Sequence, residues 1–404
     1  MTEREAIYAF LVAFAVAAVL TPLTARLAYA VGAVDRPRER GLSRRETPLL
    51  GGLAMLAAVL AASALLLDFG PIIEERFRGI LAGGLVIALI GAFDDRFELP
   101  AVIKFAGQIA AAIIPVQAGV EVSNITLPLV GAQDLGSAGA PLTVAGLVIV
   151  MNVVNLSDGI DGLAAGVCAI SAITFAIIAF DLSRGHAAVL AAITAGAALG
   201  FLVHNFHPAS VFMGDCGSNL LGLLLGCIAV EGAVKTQAVL ALVFPLVVLA
   251  VPFVDTTFVV LKRLKYRRKP WQADANHFHH RFSRIGFSQR RTVVYLYAWT
   301  TLLGGLAVAL RFVPYSDDGG HLRLAGSLVV GALALMVLIA SVYLVYVLEI
   351  LKFKRLDAMR LRRSRPGVTE REIDEDVSER LETGEFDAVR RETEDFEAIE
   401  PQRP

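Results

Sequence analysis

Cysteine is scarce in this chain of 404 residues, which contains three: Cys168, Cys216 and Cys227. No two of them form a Cys-x-x-Cys pair, so the sequence predicts no disulfide framework. Cys168 and Cys227 lie in apolar segments, where a cysteine is expected to act as a small packing residue.

Charged residues are also sparse, at 19% of the sequence, whereas hydrophobic residues reach 56%. Soluble domains contain about 45–50% apolar residues, so the excess must face something other than water. Apolar runs of about 20 residues, the length that crosses a bilayer as a helix, recur along most of the chain. This pattern favours one helix bundle in lipid over several soluble domains.

The apolar runs predict an all-α, polytopic membrane protein with about eleven transmembrane helices. The predicted spans are residues 7–30, 49–68, 79–93, 101–119, 141–157, 161–180, 187–205, 218–231, 238–261, 292–312 and 324–351. Those at 79–93, 141–157 and 218–231 are short for about 30 Å of hydrocarbon. Either their ends lie further out or they stop early beside a polar cavity.

Basic residues identify the predicted cytoplasmic side. The loops 31–48, 94–100, 158–160, 206–217 and 262–291 carry sixteen Lys and Arg residues, against five in the loops of the other side. The positive-inside rule places the sixteen in the cytoplasm, the N-terminus outside and the C-terminus inside. Ala28-Tyr29-Ala30 resembles a signal-peptidase site, but the positive charge follows the first run instead of preceding it, so we expect a retained helix.

Two further segments differ from the helical pattern. Residues 120–140 alternate apolar residues with Pro and Gly, which predicts a short outer hairpin. The membrane domain is expected to cover residues 1–351, and the tail 352–404 starts basic, turns acidic and is expected to be disordered.

The first polar cluster at membrane depth is Asp94-Asp95, followed in the next apolar run by Lys104. Ionisable groups there are costly and mark function by default. Two adjacent carboxylates repel, so they are expected to hold a proton, a cation or a basic partner. The alternative is a helix-end pair with a lysine that reaches towards water.

The second cluster runs from Asn152 to Gly162. Asn152 and Asn155 share a helical face that extends towards Asp158, with Asp161 beyond it. Carboxylate and amide oxygens suit Mg²⁺, which usually keeps waters and substrate phosphates as its other ligands. The alternative is a capped turn between two helices.

The third cluster comprises Asn205 and the stretch from Phe212 to Ser218. Asp215 lies between two glycines at a predicted helix start, where free amides favour phosphate and an aspartate can hold a metal against it. Phe212 offers a face for base stacking. The alternative is an N-cap formed by Asp215 or Ser218.

The fourth cluster is the basic loop with His277, His279, His280 and Arg281. Three histidines in four residues suggest a zinc site as an alternative. However, no cysteine is near, and the adjacent pair His279-His280 suits one tetrahedral site poorly. Contacts with phosphate and sugar hydroxyls are favoured.

These four blocks, in this order, resemble the polyprenyl-phosphate N-acetylhexosamine-1-phosphate transferases (glycosyltransferase family 4). The likeness covers about residues 20–310, and His277-Phe278-His279-His280-Arg281 is similar to the N-acetylglucosamine branch. It implies a transfer of N-acetylglucosamine-1-phosphate from UDP-N-acetylglucosamine to a polyprenyl phosphate. The alternatives are a phospho-N-acetylmuramoyl-pentapeptide transferase and, in another class, a secondary transporter.

The resemblance also implies roles for the matching residues. Asp215 and Asn155 would hold Mg²⁺, with Mn²⁺ as an alternative. Catalysis would fall to Asp94, Asp95 and Lys104 at the lipid phosphate. The uridine would be surrounded by Asn152, Asp158, Asp161, Asn205 and Phe212, and the sugar by His277, His279, His280 and Arg281.

The expected partners are a UDP-N-acetylhexosamine, a polyprenyl phosphate, membrane lipid and a second copy in a homodimer, with no nucleic acid. The site is expected at the cytoplasmic face of the plasma membrane.

Overall fold

A computed structural model describes residues 3–35, 46–66, 71–127, 131–233, 289–315 and 323–347. Ten α-helices lie in these ranges. They are α1 Glu3–Val31, α2 Gly51–Leu66, α3 Pro71–Phe97, α4 Ala101–Gln117, α5 Gly139–Ser157, α6 Leu163–Asp181, α7 Gly185–Asn205, α8 Gly214–Ala233, α9 Gln289–Phe312 and α10 Leu324–Val347.

Two short antiparallel strand pairs complete the described fold. Strands β1 (Val34–Asp35) and β2 (Thr47–Pro48) pair after α1 and before α2. Strands β3 (Asn124–Leu127) and β4 (Gly131–Asp134) pair between α4 and α5. The hairpin predicted within residues 120–140 is therefore confirmed, while its side of the membrane stays a prediction.

Eight of the helices are long and apolar enough to cross a membrane, and α2 and α4 are shorter apolar helices. Each predicted span except 238–261 coincides with a helix, and that span lies outside the described residues. For the third span the first alternative is confirmed: its ends lie further out, because α3 has 27 residues and is about 40 Å long. Polar residues such as Glu74 and Arg96 continue the helix beyond its apolar run.

Small residues set the packing of the helices. In α1, Ala6, Ala9, Ala13 and Ala17 are buried at a spacing of three to four residues. A β-carbon added to Gly196 or Gly200 of α7 would collide with backbone oxygens of α1. Bare backbone at these positions lets α1 and α7 approach closely, as small residues commonly do between membrane helices.

The same device positions the start of α8. A β-carbon on Gly52 of α2 would collide with the backbone of Gly217, and one on Gly91 of α3 would collide with the backbone of Cys216. The first turn of α8 therefore lies directly against α2 and α3. Cys168 and Cys227 are buried free thiols, as expected for packing residues, and Cys216 is buried and free as well.

The chain divides into two units, one of residues 1–257 with 293–337 and one of residues 258–292 with 338–404. All the contacts below lie within the first unit. The predicted boundary at residue 351 and the character of the tail lie outside the described residues.

Candidate active site

The ion pair between Asp94 and Lys104 forms the first part of the site. Asp94 lies in the last turn of α3 and is only 5% exposed, while Lys104 lies in the first turn of α4. The other carboxylate oxygen of Asp94 accepts a hydrogen bond of 2.7 Å from the backbone amide of Leu99. Asp94 thus fixes both the connection between the two helices and the direction of the lysine.

Lys104 also contacts Asp215, which α8 contributes from 111 residues further along the chain. The lysine Nζ lies 3.1 Å from Asp215 Oδ2, and Asn155 Nδ2 of α5 donates to Asp215 Oδ1 at 2.9 Å. Asn155 Nδ2 also donates to Ser218 Oγ at 2.9 Å. Three predicted clusters therefore meet at one point, with two carboxylates around one ammonium.

Asp95 has a different role from its neighbour. Its carboxylate accepts hydrogen bonds from the backbone amides of Asp215, at 2.7 Å, and Cys216, at 3.2 Å. A carboxylate at a helix start satisfies amides that have no partner within the helix. The prediction of free amides for phosphate at this turn was therefore wrong, and so was the alternative of a cap by Asp215 or Ser218.

Gly214 makes this cap possible. Its φ of +67° is in the left-handed region, and a β-carbon would collide with the carboxylate of Asp95. Glycine reaches this conformation without the steric cost that other residues incur. The turn that starts α8 and the carboxylate that caps it therefore depend on each other.

A second group of contacts holds the loop between α5 and α6. Asp161 Oδ2 lies 2.7 Å from His207 Nδ1 and accepts a hydrogen bond of 3.0 Å from the amide of Ala209. The hydroxyl of Tyr297, on α9, donates to the carbonyl oxygen of Gly162. This loop is thereby tied to the α7–α8 connection and to α9.

Asn205 is part of the same framework. It is 2% exposed, its Oδ1 accepts from the amide of Gly162 at 3.0 Å, and its Nδ2 donates to the carbonyl of Val211 at 2.9 Å. Both polar atoms are thus used between loops. In this structure Asn205 therefore supports the two loops, and its contact with uridine stays a prediction.

Asp158 differs from these anchored residues. No hydrogen bond to its carboxylate comes from the part of the chain that the structure describes. Desolvation, with smaller contributions from the carboxylates of Asp215 and Asp161, raises the pKa of Asp158 from 3.8 to about 7. It is therefore a carboxylate held near other negative charges and still able to accept a hydrogen bond.

Asn152 lies one turn deeper than Asn155 and is linked to Gln108 and, through it, to Asn219, which the sequence did not single out as site residues. Asn152 Nδ2 donates to Gln108 Oε1 at 2.7 Å, and Gln108 Nε2 donates to Asn219 Oδ1 at 2.8 Å. Their sequence signal was available, because Gln108 follows Lys104 by four residues and Asn219 follows Asp215 by four. That spacing puts each pair on one face of a helix.

Phe212 is anchored through its backbone, which donates to Pro48 and accepts from Gly51. Its side chain is half-buried, and stacking on a base stays a prediction. The predicted histidine loop, with His277, His279, His280 and Arg281, lies outside the described residues.

The residues around Asp215 fit a magnesium ion of the kind that substrates help to hold. Among the described residues, no three His, Cys, Asp or Glu side chains form a ready metal cluster. Mg²⁺ typically needs only one or two carboxylates and takes its other ligands from water and substrate phosphates. Asp215, with the amide oxygen of Asn155, meets that requirement. The described residues around it do not supply the four ligands of a closed structural zinc site.

Known proteins are similar to this chain over the region that contains the site. A family model for glycosyl transferase family 4 matches residues 77–233, which extend from α3 to α8 and include every described site residue up to Asp215. A probable undecaprenyl-phosphate N-acetylglucosaminyl 1-phosphate transferase of Bacillus subtilis is 34% identical over 306 residues, covering 76% of this chain and 85% of the relative.

Two further relatives are similar over most of their length. The decaprenyl-phosphate N-acetylglucosaminephosphotransferase of Mycolicibacterium smegmatis is 38% identical over 318 residues, covering 71% of this chain and 78% of the relative. The phospho-N-acetylmuramoyl-pentapeptide-transferase of Moorella thermoacetica is 34% identical over 288 residues, covering 67% and 85%. Together with the family match, these identities establish that the chain is a multi-pass membrane protein of glycosyl transferase family 4.

Proposed function

We propose that this protein transfers N-acetylglucosamine-1-phosphate from UDP-N-acetylglucosamine to a polyprenyl phosphate and releases UMP. The observation that carries the proposal is the ammonium of Lys104 held between Asp94 and Asp215, beside Asn155. Such a group can receive a lipid phosphate next to a site for a diphosphate. The names of the Bacillus and Mycolicibacterium relatives support the same donor sugar and acceptor class.

The proposed chemistry is a direct displacement at phosphorus. An anionic oxygen of the lipid phosphate forms a bond to the phosphorus that carries the sugar. The bond from that phosphorus to the bridging oxygen breaks, and UMP leaves with the electron pair. The acceptor oxygen is already ionised near neutral pH, so charge repulsion is the main barrier, and fixed positive charge lowers it.

Lys104 is the residue best placed to reduce this repulsion. Its side chain is 39% exposed, so a phosphate can reach it, while Asp94 is almost fully buried behind it. In this proposal Asp94 orients the lysine and Lys104 neutralises the incoming phosphate. Asp95 keeps the start of α8, and with it Asp215, in place.

A divalent cation completes the proposed site. Asp215 and Asn155 would hold Mg²⁺, or Mn²⁺ in its place, and the ion would withdraw negative charge from the diphosphate. Asp158, whose carboxylate can still accept a hydrogen bond, would face the nucleoside with Phe212, and Asp161 would hold the loop beside them.

The proposed setting is the plasma membrane, with eleven spans, the N-terminus outside and the site on the cytoplasmic face. The donor is a water-soluble nucleotide sugar, and the acceptor presents its phosphate at the bilayer surface, so their meeting point must lie at that interface. The loops with sixteen basic residues are on the same side as the polar clusters. A homodimer is part of the proposal and rests on the resemblance alone.

The test uses purified protein, UDP-N-acetylglucosamine and a short polyprenyl phosphate, with Mg²⁺ or with a chelator. We expect UMP and a lipid-linked sugar to form in equal amounts, and only with the cation. UMP released without lipid product would indicate hydrolysis. Absence of both products would contradict the proposal.

The Moorella relative favours a second candidate, a phospho-N-acetylmuramoyl-pentapeptide transferase. The same assay with UDP-N-acetylmuramoyl-pentapeptide separates the two, because the preferred donor yields the larger kcat/KM. A secondary transporter would move a solute across a vesicle membrane without UMP release, so the assay separates that class as well.

A further inference from the structure

A second polar layer lies one helical turn beneath the contacts around Asp215. The helices α4, α5 and α8 each contribute a residue to both layers. The upper layer consists of Lys104, Asn155 and Asp215, and the lower layer consists of Gln108, Asn152 and Asn219. The lower residues are all neutral amides.

The lower layer is a continuous chain of hydrogen bonds that ends on the backbone of Asp215. Asn152 donates to Gln108 at 2.7 Å, Gln108 donates to Asn219 at 2.8 Å, and Asn219 Nδ2 donates to the carbonyl oxygen of Asp215 at 2.8 Å. Gln108 is thus the central link, and its amide is the group that joins α4 to both α5 and α8.

Burial makes this layer costly to disturb. Gln108 is 6% exposed and Asn219 is 5% exposed. A polar group in such a place is expensive unless it is hydrogen-bonded. Loss of the Gln108 amide leaves Asn219 Oδ1 without its donor, and Asn152 Nδ2 keeps only its bond of 2.8 Å to the carbonyl of Val148. Removing Gln108 would therefore affect α5 and α8 together, the two helices that supply Asn155 and Asp215.

We infer that Gln108 is a positioning residue, which acts through Asn219 and Asn152 to hold Asp215 and Asn155 in register for the diphosphate and its cation. The inference rests on the function proposed above. Residues that orient metal ligands in this way typically change metal affinity or activity about 10–100-fold when they are replaced.

A purely structural role predicts a different result. Amides that only hold helices together would lower the stability of the bundle when replaced, without changing how much Mg²⁺ the site needs. A positioning role shifts the Mg²⁺ requirement itself, because Asp215 and Asn155 lose their alignment. The two roles are therefore separable by titration with the cation.

The experiment compares wild-type protein with Gln108→Leu, which keeps the volume and removes the amide. One readout is the Mg²⁺ concentration that gives half-maximal transfer activity. The other needs no turnover: the Mg²⁺ concentration at which UDP-N-acetylglucosamine raises the unfolding temperature, measured without a polyprenyl phosphate. We expect both concentrations to rise about tenfold or more in the variant. An unchanged concentration in both readouts, with a lower unfolding temperature, would overturn the inference.

A length exchange keeps the test decisive if Gln108→Leu does not fold. Gln108→Asn alone is too short to reach both partners and should shift the Mg²⁺ requirement in the same direction. Adding Asn219→Gln restores the combined length of the two side chains and should recover at least half of the loss on a logarithmic scale. A double variant no better than the worse single variant would contradict a continuous chain.

Thr194→Val is the matched control. Thr194 is fully buried in α7, and its hydroxyl donates to the carbonyl of Leu190 in its own helix. The substitution also removes a buried polar group, but one that is bonded within its own helix and not to the Gln108 chain. It should therefore leave the Mg²⁺ requirement unchanged. A shift in Thr194→Val equal to that in Gln108→Leu would refute the specific role of Gln108. Absence of transfer by the wild-type protein would refute the proposed function separately, since that is measured before any variant.

Discussion

Asp95 caps the helix that carries Asp215: its carboxylate accepts a hydrogen bond of 2.7 Å from the backbone amide of Asp215. Its neighbour Asp94 instead pairs with Lys104. Two adjacent aspartates thus bind different groups, one an ammonium and the other the amides at a helix start. The pair divides into one residue that orients the lysine and one that supports α8.

This division predicts different results for the two aspartates. Asp95→Ala should lower the free energy of unfolding by about 1–2 kcal/mol, as the loss of a helix cap does. Asp95→Asn keeps one acceptor oxygen and should cost less. Asp94→Asn should reduce turnover about 10–100-fold, because the lysine loses its orienting charge, even where nucleotide binding survives.

Thermal unfolding and UMP release on the same preparations measure both effects. If Asp95→Asn reduced turnover as much as Asp94→Asn did, at unchanged stability, Asp95 would be a substrate contact and its assignment as a cap would be incomplete.

Lys104→Met should affect stability and turnover separately. The variant leaves Asp94, which is 5% exposed, without its counter-ion. Breaking a buried pair in this way costs about 3–5 kcal/mol, and the partial exposure of Lys104 places the expected loss near 3 kcal/mol. Turnover should fall about 10²–10³-fold, as it does when one group that stabilises transition-state charge is removed.

The double variant Lys104→Met with Asp94→Asn is the control for this prediction. Neutralising Asp94 should restore most of the stability but none of the turnover. Recovery of turnover in the double variant would mean that Lys104 serves only to balance the aspartate.

Asp215→Asn should abolish turnover, with a loss of at least about 100-fold. An asparagine can still accept from Asn155, but it lacks the negative charge that Lys104 and a divalent cation require. The effect should persist at high Mg²⁺, and UMP release at several Mg²⁺ concentrations measures it. Full activity in this variant would remove Asp215 from the metal site.

Gly91→Ala should push α8 away from α3, because the added methyl group would collide with the backbone of Cys216. Overpacking of this kind costs about 1–3 kcal/mol and should also lower turnover, since Asp215 precedes Cys216. The matched control is Gly146→Ala in α5, where an added β-carbon has no heavy atom within 4 Å. The control should be neutral or stabilising by up to about 1 kcal/mol. Equal unfolding temperatures for the two variants would contradict the close approach.

Asp158 predicts a pH dependence of stability. Its pKa is about 7 in the folded protein, against 3.8 in the unfolded chain, so the folded state binds the proton more tightly. The free energy of unfolding should therefore fall as the pH rises from about 4 to about 7, and this contribution should then level off. Asp158→Asn has no such titration, so the difference between wild type and variant isolates it. Unfolding temperatures in chelator between pH 5 and pH 8 provide the test, and parallel curves would refute the shifted pKa.

The sequence predicted most helices because lipid requires long apolar runs, but it left open where α3 begins and ends. Hydropathy reports which residues tolerate hydrocarbon, and a helix continues through Glu74 or Arg96 as readily as through leucine. The residue types offered Lys104 as a partner for Asp94 and Asp95, since ionisable groups at membrane depth need partners. The resemblance implied a shared site for Asn155 and Asp215, and the contact of Lys104 with Asp215 came from the structure.

The roles of Asp95 and Asn205 could not be predicted in the same way. Asp95 reaches amides 120 residues away along the chain, and Asn205 joins two loops through backbone atoms, so neither contact leaves a pattern in the residue types. Gln108 and Asn219 were within reach, because each follows a site residue at the spacing of one helical turn.

The pairing of Asp94 with Lys104 has a consequence for biogenesis. Both charges belong to consecutive helices, α3 and α4, so this hairpin brings its own counter-ion when it enters the bilayer. Asp94 and Lys104 can therefore neutralise each other before α8 has been synthesised. When α8 brings Asp215 to the site, Lys104 already has one carboxylate partner and can accommodate the second.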